Sequence, residues 1–288
     1  MPISLTLNPH LRDLGGGMMV RRLLPAAARQ GVGPFLFFDH FGPITAIPAD
    51  NHDVRPHPHI GLSTVTYLFE GAILHRDNLG SVQRIEPGAI NWMTAGSGIV
   101  HSERTPPDLA VRTRISHGLQ LWAALPKPFE ETAAAFHHTP ANALPAWNGP
   151  GVQARVLIGN AFGLDSPVKT FNRTLYLDIA AEPGAALTLE STEEECALYS
   201  VDQPLTVDGA TVPPAVLAVL QAGQPARIEA PAGARYVVIG GEPIDGHRHM
   251  WWNFVSSSKE RIEVAKADWA AQRMGRIPGE TEFIPLPP

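Results

Sequence analysis

The sequence has a single cysteine, Cys196, so it cannot form a disulfide within the chain. A lone thiol is typical of a reducing compartment, and we expect a cytoplasmic protein. Charged residues are scarce, at 17%, and the net charge is -6, which argues against direct binding of nucleic acid. No apolar run is long enough to cross a bilayer, and residues 1–8 lack the apolar core of a signal peptide, so we expect no membrane contact.

Several common catalytic motifs are missing as well. The sequence contains no glycine loop with a following lysine for phosphates, no dinucleotide-binding fingerprint and no nucleophile elbow. Cys196 follows three glutamates and has no flanking base, so we do not expect it to act as a nucleophile. These absences leave metal-dependent chemistry and binding functions open.

The residues that are present favour an all-β fold. Hydrophobic residues make up 44% of the chain, and 26 glycines and 28 prolines are spread through it without a period. Short apolar runs such as Val65–Phe69 and Thr174–Ile179 alternate with turn sequences. Strands at this spacing indicate a sandwich or a barrel.

A stretch rich in Pro, Ala, Asn and Gly over residues 140–151 indicates a domain junction. We therefore predict an N-terminal domain over residues 1–139 and a C-terminal domain over residues 140–288. A short helix should begin at the capping-box sequence Ser257–Glu260 and run to Met274. We assign this helix to the C-terminal domain.

Two pairs of potential metal ligands carry most of the functional information: His57 with His59, and His101 with Glu103. Side chains two residues apart on a strand share a face, so two neighbouring strands would direct three imidazoles and one carboxylate to one point. We expect one divalent transition metal there; Fe, Mn, Ni, Cu, Co and Zn remain open from the ligand types alone.

A buried polar cluster without metal is the alternative explanation of these four residues. It is unattractive because unliganded imidazoles and a carboxylate would need other partners inside a β core. The glycine-rich turn Ala95–Gly98, just before His101, would allow the backbone to bend tightly toward a crowded centre. We therefore favour metal binding.

Several motifs resemble the pirin family. They are FFDHFGP at residues 37–43, HPHIGLSTVTYLFEG at 57–71, HRDNLG at 75–80, PGAINWMTAGSGIVHSE at 87–103 and GLQLW at 118–122. The resemblance implies a bicupin: two cupin (jelly-roll) β-barrel domains with a short C-terminal helix and with metal only in the first domain. It also implies iron(II), held by His57, His59, His101 and Glu103.

The resemblance implies a function too. Some pirins open the ring of flavonols such as quercetin with O2, so we expect a flavonol-like aromatic substrate and a catalytic role for Glu103 as a base. Other members act as regulators through protein contacts, and a non-enzymatic, redox-sensing protein with a protein partner is therefore the alternative. A metal-dependent isomerase is a third hypothesis, because cupin barrels support many chemistries.

Four other positions carry specific expectations. Ser63 stands where many pirins have a glutamate close to the metal, so its serine should change the local charge. His75 should lie in a hairpin loop, in a structural role or at the rim of the pocket. His247 and His249 should be exposed. No histidine occurs between Gly151 and Gly241, so the second domain should be free of metal.

Overall fold

The structure, a computed structural model, describes residues 2–15, 17–190 and 193–287. The first twelve strands are β1 (Ile3–Leu7), β2 (His10–Asp13), β3 (Met19–Leu24), β4 (Phe35–Ala46), β5 (Val54–His59), β6 (Leu62–Glu70), β7 (Ile73–Asp77), β8 (Val82–Ile85), β9 (Ile90–Thr94), β10 (Ile99–Arg104), β11 (Arg114–Ala124) and β12 (Ala135–Thr139). The following strands are β13 (Ala146–Gly149), β14 (Val152–Ile158), β15 (Asn160–Ala161), β16 (Leu164–Asp165), β17 (Thr174–Ala181), β18 (Ala185–Leu189), β19 (Glu195–Ser200), β20 (Leu205–Val207), β21 (Ala210–Val212), β22 (Leu217–Leu220), β23 (Ala226–Ala230), β24 (Ala234–Gly241), β25 (His249–Trp251) and β26 (Phe254–Ser256). The helices are α1 (Pro107–Ala110) and α2 (Lys259–Ala270), and short 3-10 turns cover Lys127–Phe129 and Ala141–Ala143. The prediction of an all-β protein with a short C-terminal helix is confirmed.

Residue contacts divide the chain into two compact units. Unit 1 is composed of Met1–Leu11, Arg21–Phe38 and Asn142–Pro243, and unit 2 of Arg12–Val20, Asp39–Ala141 and Ile244–Pro288. One division falls close to the predicted junction, but the terminal segments belong to the opposite units from those that the boundaries 1–139 and 140–288 assigned. The reason is that a terminal segment joins whichever sheet it can pair with, and long-range pairing does not follow chain order.

Unit 1 has two main sheets, besides the two-stranded pair β15-β16. The larger one has the strand order β1-β22-β19-β24-β17-β14-β13, and the smaller one the order β18-β23-β20-β21. Strand β1 enters the larger sheet by antiparallel pairing with β22, where Leu7 lies opposite Leu217. Both sheets contribute buried apolar side chains to one core, among them Val156, Leu177, Leu198, Ile228 and Val238. The burial of these side chains is the main stabilising contribution to the unit.

Unit 2 contains the four-stranded sheet β5-β10-β7-β8, and strands β6, β9, β11 and β12 of a seven-stranded sheet also lie in it. Strand β6 is buried along almost its whole length, as its β-branched and aromatic residues suggest. A cluster of Val20, Phe41, Leu68, Ile85 and Ala89 forms one part of the core. The strands that carry the predicted metal ligands, β5 and β10, therefore belong to this unit.

Helix α2 also belongs to unit 2, not to the unit formed by the second half of the strands. Its apolar stripe, which includes Ile262 and Trp269, packs in one cluster with Ile60 and Val100. These two residues border or lie on the strands of the predicted metal ligands, so the helix supports those strands.

No helix in the described ranges is both long and apolar enough to span a membrane.

The ends of α2 differ slightly from the prediction. The hydroxyl of Ser258 accepts a hydrogen bond from the Arg261 N–H at 3.2 Å and caps the first turn. The helix ends at Ala270, earlier than the predicted Met274. Gln272 adopts a left-handed backbone conformation with φ of 54°, which a right-handed helix cannot continue.

Candidate metal centre

The pairing of β5 with β10 brings the two predicted ligand pairs together. The strands are antiparallel, with His101 opposite His57 and Ile99 opposite His59. One potential ligand atom from each of His57, His59 and His101 lies within 4.8 Å of the others, and all three residues are buried. The ring centroids of His57 and His101 are 4.3 Å apart. Three of the four predicted ligands therefore converge.

Tight turns beside two of these strands depend on glycine. Gly61 follows His59 with φ of 68°, and a side chain there would collide with the backbone oxygen of Val255. Gly96 precedes β10 with φ of 51°, and a side chain there would collide with the backbone oxygen of Thr132. Glycine is the residue that tolerates both the left-handed conformation and the close approach. The predicted role of the turn Ala95–Gly98 agrees with this geometry.

Each histidine of the cluster has one nitrogen anchored by the protein. The Nδ1 atom of His57 lies 2.8 Å from the backbone oxygen of Arg55. The His59 ring is hydrogen-bonded to the backbone of Asn253. The Nδ1 atom of His101 lies 3.4 Å from Nδ1 of His75. A second hydrogen-bonding partner of this kind is what orients a metal-binding imidazole.

The other ring nitrogens of His59 and His101 indicate whether a metal fits the cluster. His59 Nδ1 and His101 Nε2 are buried and have no hydrogen-bond partner. An unsatisfied buried polar atom costs about 1–3 kcal/mol, so its presence in a folded core calls for an explanation. A cation bound by the free lone pairs supplies one, and three imidazoles suit a divalent transition metal.

Burial keeps the three imidazoles in the neutral form that binds metals. It lowers the pKa of His57 to about 4, although the hydrogen bond with the Arg55 carbonyl acts in the opposite direction. Burial and the neighbouring His57 ring lower the pKa of His59 well below its ordinary value, and the same causes act on His101. At neutral pH no proton therefore competes with a metal for these lone pairs.

Glu103, the fourth predicted ligand, is not in the group of three whose ligand atoms lie within 4.8 Å of one another. A register irregularity interrupts the pairing of β10 with β5 between His101 and Glu103. Glu103 is half-buried, and its carboxylate accepts a hydrogen bond from the Thr66 hydroxyl at 3.5 Å. Removal of the carboxylate from water raises the pKa of Glu103 to about 7. Its assignment as a ligand and as a catalytic base remains a prediction.

His75 is a site residue whose position the sequence analysis missed. It is buried on β7 rather than in a loop, its Nε2 lies 2.9 Å from Asp77 Oδ2, and its ring stacks on Phe136 at 4.1 Å. Burial by itself would raise the pKa of Asp77, but hydrogen bonds from His75 and Ser81 lower it below its ordinary value. The spacing of His75 and Asp77, two residues apart on a strand, was the signal that could have identified the pair.

Ser63 lies on strand β6, on the face opposite to that of Thr66. Strand β6 pairs regularly with β9, and the side chain of Thr66 on it reaches Glu103. Ser63 is an odd number of residues from Thr66 and therefore faces the other side of the sheet. It is fully buried, and its hydroxyl lies 3.2 Å from that of Thr94. The expected effect of this serine on the charge near the metal stays a prediction.

The two histidines near the end of unit 2 agree with expectation only in part. His247 is exposed, whereas His249 is half-buried, and His247 Nε2 lies 3.3 Å from His249 Nδ1. Across the described ranges, His57, His59 and His101 form the one group of three converging metal-ligand side chains. The prediction that the second domain is free of metal remains a prediction.

Taken together, two β units and a buried histidine cluster on paired strands define a bicupin with a candidate metal centre. A family model for pirin matches residues 17–123, and a model for the pirin C-terminal cupin domain matches residues 176–275. The chain belongs to the pirin family. The predicted family and the predicted pair of cupin domains are thereby confirmed.

Individual relatives agree with this assignment over almost the whole chain. A pirin-like protein of Caulobacter vibrioides is 45% identical over 290 residues, covering 99% of this chain and 99% of the relative. Human pirin is 30% identical, covering 95% of this chain and 93% of its own. The crystal structure of a quercetin 2,3-dioxygenase from Acinetobacter baumannii matches with a TM-score of 0.92 and 32% identity, covering 98% and 94% of the two chains.

Proposed function

We propose that this protein is a metal-dependent dioxygenase of the pirin type, which opens the ring of a flavonol such as quercetin with O2. The observation that carries the proposal is the buried cluster of His57, His59 and His101, in which His59 Nδ1 and His101 Nε2 have no protein partner. The likeness to a quercetin 2,3-dioxygenase at 32% identity supports the choice of substrate class.

The three histidines would hold the metal, and iron(II) is the first metal to test. A bound divalent metal would supply a Lewis acid for a substrate oxygen and a redox partner for O2. Trp122 meets the His59 ring edge to face at 5.2 Å, and Phe136 stacks on His75. In this proposal the two rings would supply the apolar surface against which a flat aromatic substrate packs.

Glu103 is suited to take the proton of the substrate hydroxyl. Burial raises its pKa to about 7, and a base is most effective when its pKa lies near the working pH. The Thr66 hydroxyl donates to one carboxylate oxygen and orients the group, while the second oxygen can accept a proton. In this proposal Glu103 accepts the hydroxyl proton, and O2 adds across the ring with loss of one carbon as carbon monoxide.

The test measures O2 uptake, carbon monoxide release and quercetin loss by protein loaded with Fe(II), Mn(II), Ni(II), Cu(II) or Co(II). We expect activity above that of the free metal, and we expect its loss in His57→Ala and Glu103→Ala. His137→Ala is the matched control, since His137 is exposed on β12.

A lack of turnover with every metal would refute the dioxygenase proposal. If metal is still bound in that case, the alternative of a metal-dependent regulator becomes the hypothesis to pursue, by a search for a protein that binds the metal-loaded form alone.

A further inference from the structure

A chain of three side chains runs from a buried carboxylate to the candidate metal centre. Asp77 Oδ2 lies 2.9 Å from His75 Nε2. His75 Nδ1 lies 3.4 Å from His101 Nδ1. His101 Nε2, at the far end, is buried and has no hydrogen-bond partner. All three residues are almost completely excluded from solvent.

The direction of the hydrogen bonds follows from the partners of Asp77. Its Oδ1 accepts hydrogen bonds from the backbone N–H groups of Leu79 at 3.0 Å and Ser81 at 2.9 Å. A carboxylate surrounded by donors acts as an acceptor, so its Oδ2 accepts a hydrogen bond from His75 Nε2–H. The relay requires His75 in its neutral form, in which the ring carries its one proton on Nε2 and has a lone pair on Nδ1.

The lone pair of His75 Nδ1 then decides the state of His101. Two facing nitrogens can share a hydrogen bond only if one donates, so His101 must carry its proton on Nδ1. Its Nε2 is left as a lone pair. We propose that Asp77 and His75 are positioning residues, which fix the tautomer of His101 so that Nε2 is the metal-binding atom. This inference rests on the metal centre proposed above.

The surrounding structure holds both residues in register. On the ladder between β10 and β7, His101 lies opposite Asp77 and Glu103 lies opposite His75. The His75 ring is parallel to that of Phe136 within 10°, which limits its rotation. The tautomer of His57 is fixed instead by one backbone carbonyl, that of Arg55, which accepts a hydrogen bond from His57 Nδ1–H. The relay through two side chains is therefore specific to His101.

The substitution Asp77→Asn should reverse the relay. The amide oxygen would stay with the N–H groups of Leu79 and Ser81, so the amide nitrogen would face His75 Nε2 and donate to it. His75 would then carry its proton on Nδ1 and donate to His101 Nδ1. His101 would be protonated on Nε2, the atom that has to bind the metal. A similar loss of the correct tautomer follows when the triad aspartate of a serine protease is replaced by asparagine.

The experiment combines this variant with His75→Phe, which keeps a ring beside Phe136 but removes the relay. Affinity for Co(II) and Zn(II) is measured by competition with a chelator in the wild type, both single variants and the double variant. We expect Asp77→Asn to weaken binding by about 10–100-fold, the usual range for partners of a metal ligand. We expect His75→Phe to weaken metal binding less, because no neighbouring nitrogen then constrains His101, which can adopt the tautomer that binds the metal.

The double variant decides between a relay and a merely structural role. If the relay operates, Asp77→Asn should have little further effect on affinity in the His75→Phe background. An equal loss in both backgrounds would mean that Asp77 only supports its loop, and the inference would be overturned. His137→Phe, on an exposed position of β12, controls for the loss of a histidine.

The tautomer is also measurable without metal or substitution, from the 15N shifts of histidine in the wild-type protein. We expect His101 to be protonated on Nδ1 and His75 on Nε2, and protonation of His101 on Nε2 would overturn the inference. If the wild type binds none of the metals, the proposed function fails, but the 15N shifts still decide whether the relay exists.

Discussion

The buried carboxyl of Glu103 makes the stability of the metal-free protein depend on pH. Burial raises its pKa from an ordinary 4.5 to about 7, so ionisation is less favourable in the folded than in the unfolded chain. Stability from this group is fully present below pH 4.5 and is lost as the pH rises through 7. A rise of this size corresponds to about 3 kcal/mol, of which about 2.5 kcal/mol falls between pH 5 and pH 8.

The variant Glu103→Gln removes this ionisation while keeping the shape of the side chain. The free energy of unfolding of the variant minus that of wild type should therefore rise by about 2–3 kcal/mol from pH 5 to pH 8. The comparison is made by urea denaturation in the presence of a chelator. The lowered pKa of His57 gives an opposite trend with pH, but it is common to both proteins and cancels in the difference.

Parallel pH profiles of the two proteins would refute the reasoning, because they would mean that the Glu103 carboxyl ionises as easily in the folded protein as in the unfolded chain. Glu263→Gln serves as the control, since Glu263 is exposed on α2 and its replacement should leave the profile unchanged. Repeating the measurement with bound metal separates the two roles proposed for Glu103. If the carboxylate binds the metal, the metal should stabilise wild type more than the variant at pH 8.

Three further predictions concern the centre and its support. The wild type should bind one divalent metal per chain, and the double variant His57→Ala, His101→Ala should bind almost none by metal analysis; a ratio that stays near one would contradict the histidine site. Ser63→Glu should lower the free energy of unfolding by about 2 kcal/mol or more, because it places a carboxylate beside Thr94 in a fully buried position, and an unchanged melting temperature would contradict the assigned orientation. Trp269→Ala should cost about 3–5 kcal/mol by thermal or urea denaturation, since the indole is almost fully buried against the outer side of the metal-ligand strands; a loss below 1 kcal/mol would show that α2 contributes little.

The local pattern of the sequence determined the strands and the orientation of the ligands on them. Side chains alternate along any strand, so the spacing of His57 and His59 by itself predicts a common face. The glycines of the turn before His101 likewise predict a sharp bend, because the need for a left-handed conformation is a local property of the backbone. The motifs shared with pirins extended this local information to the fold and the metal.

The tertiary structure alone decided which residues meet. Strand register brings His101 opposite His57 and His75 opposite Glu103, and register depends on the pairing of segments that are distant in the chain. The pairing of β10 with β7 places Asp77 opposite His101, and Asp77 is fully buried there. The ladder is irregular between His101 and Glu103, and the Glu103 carboxylate accepts a hydrogen bond from Thr66 on a strand of another sheet. Residue spacing is visible in a sequence, whereas contacts that close long loops exist only once the sheets have formed.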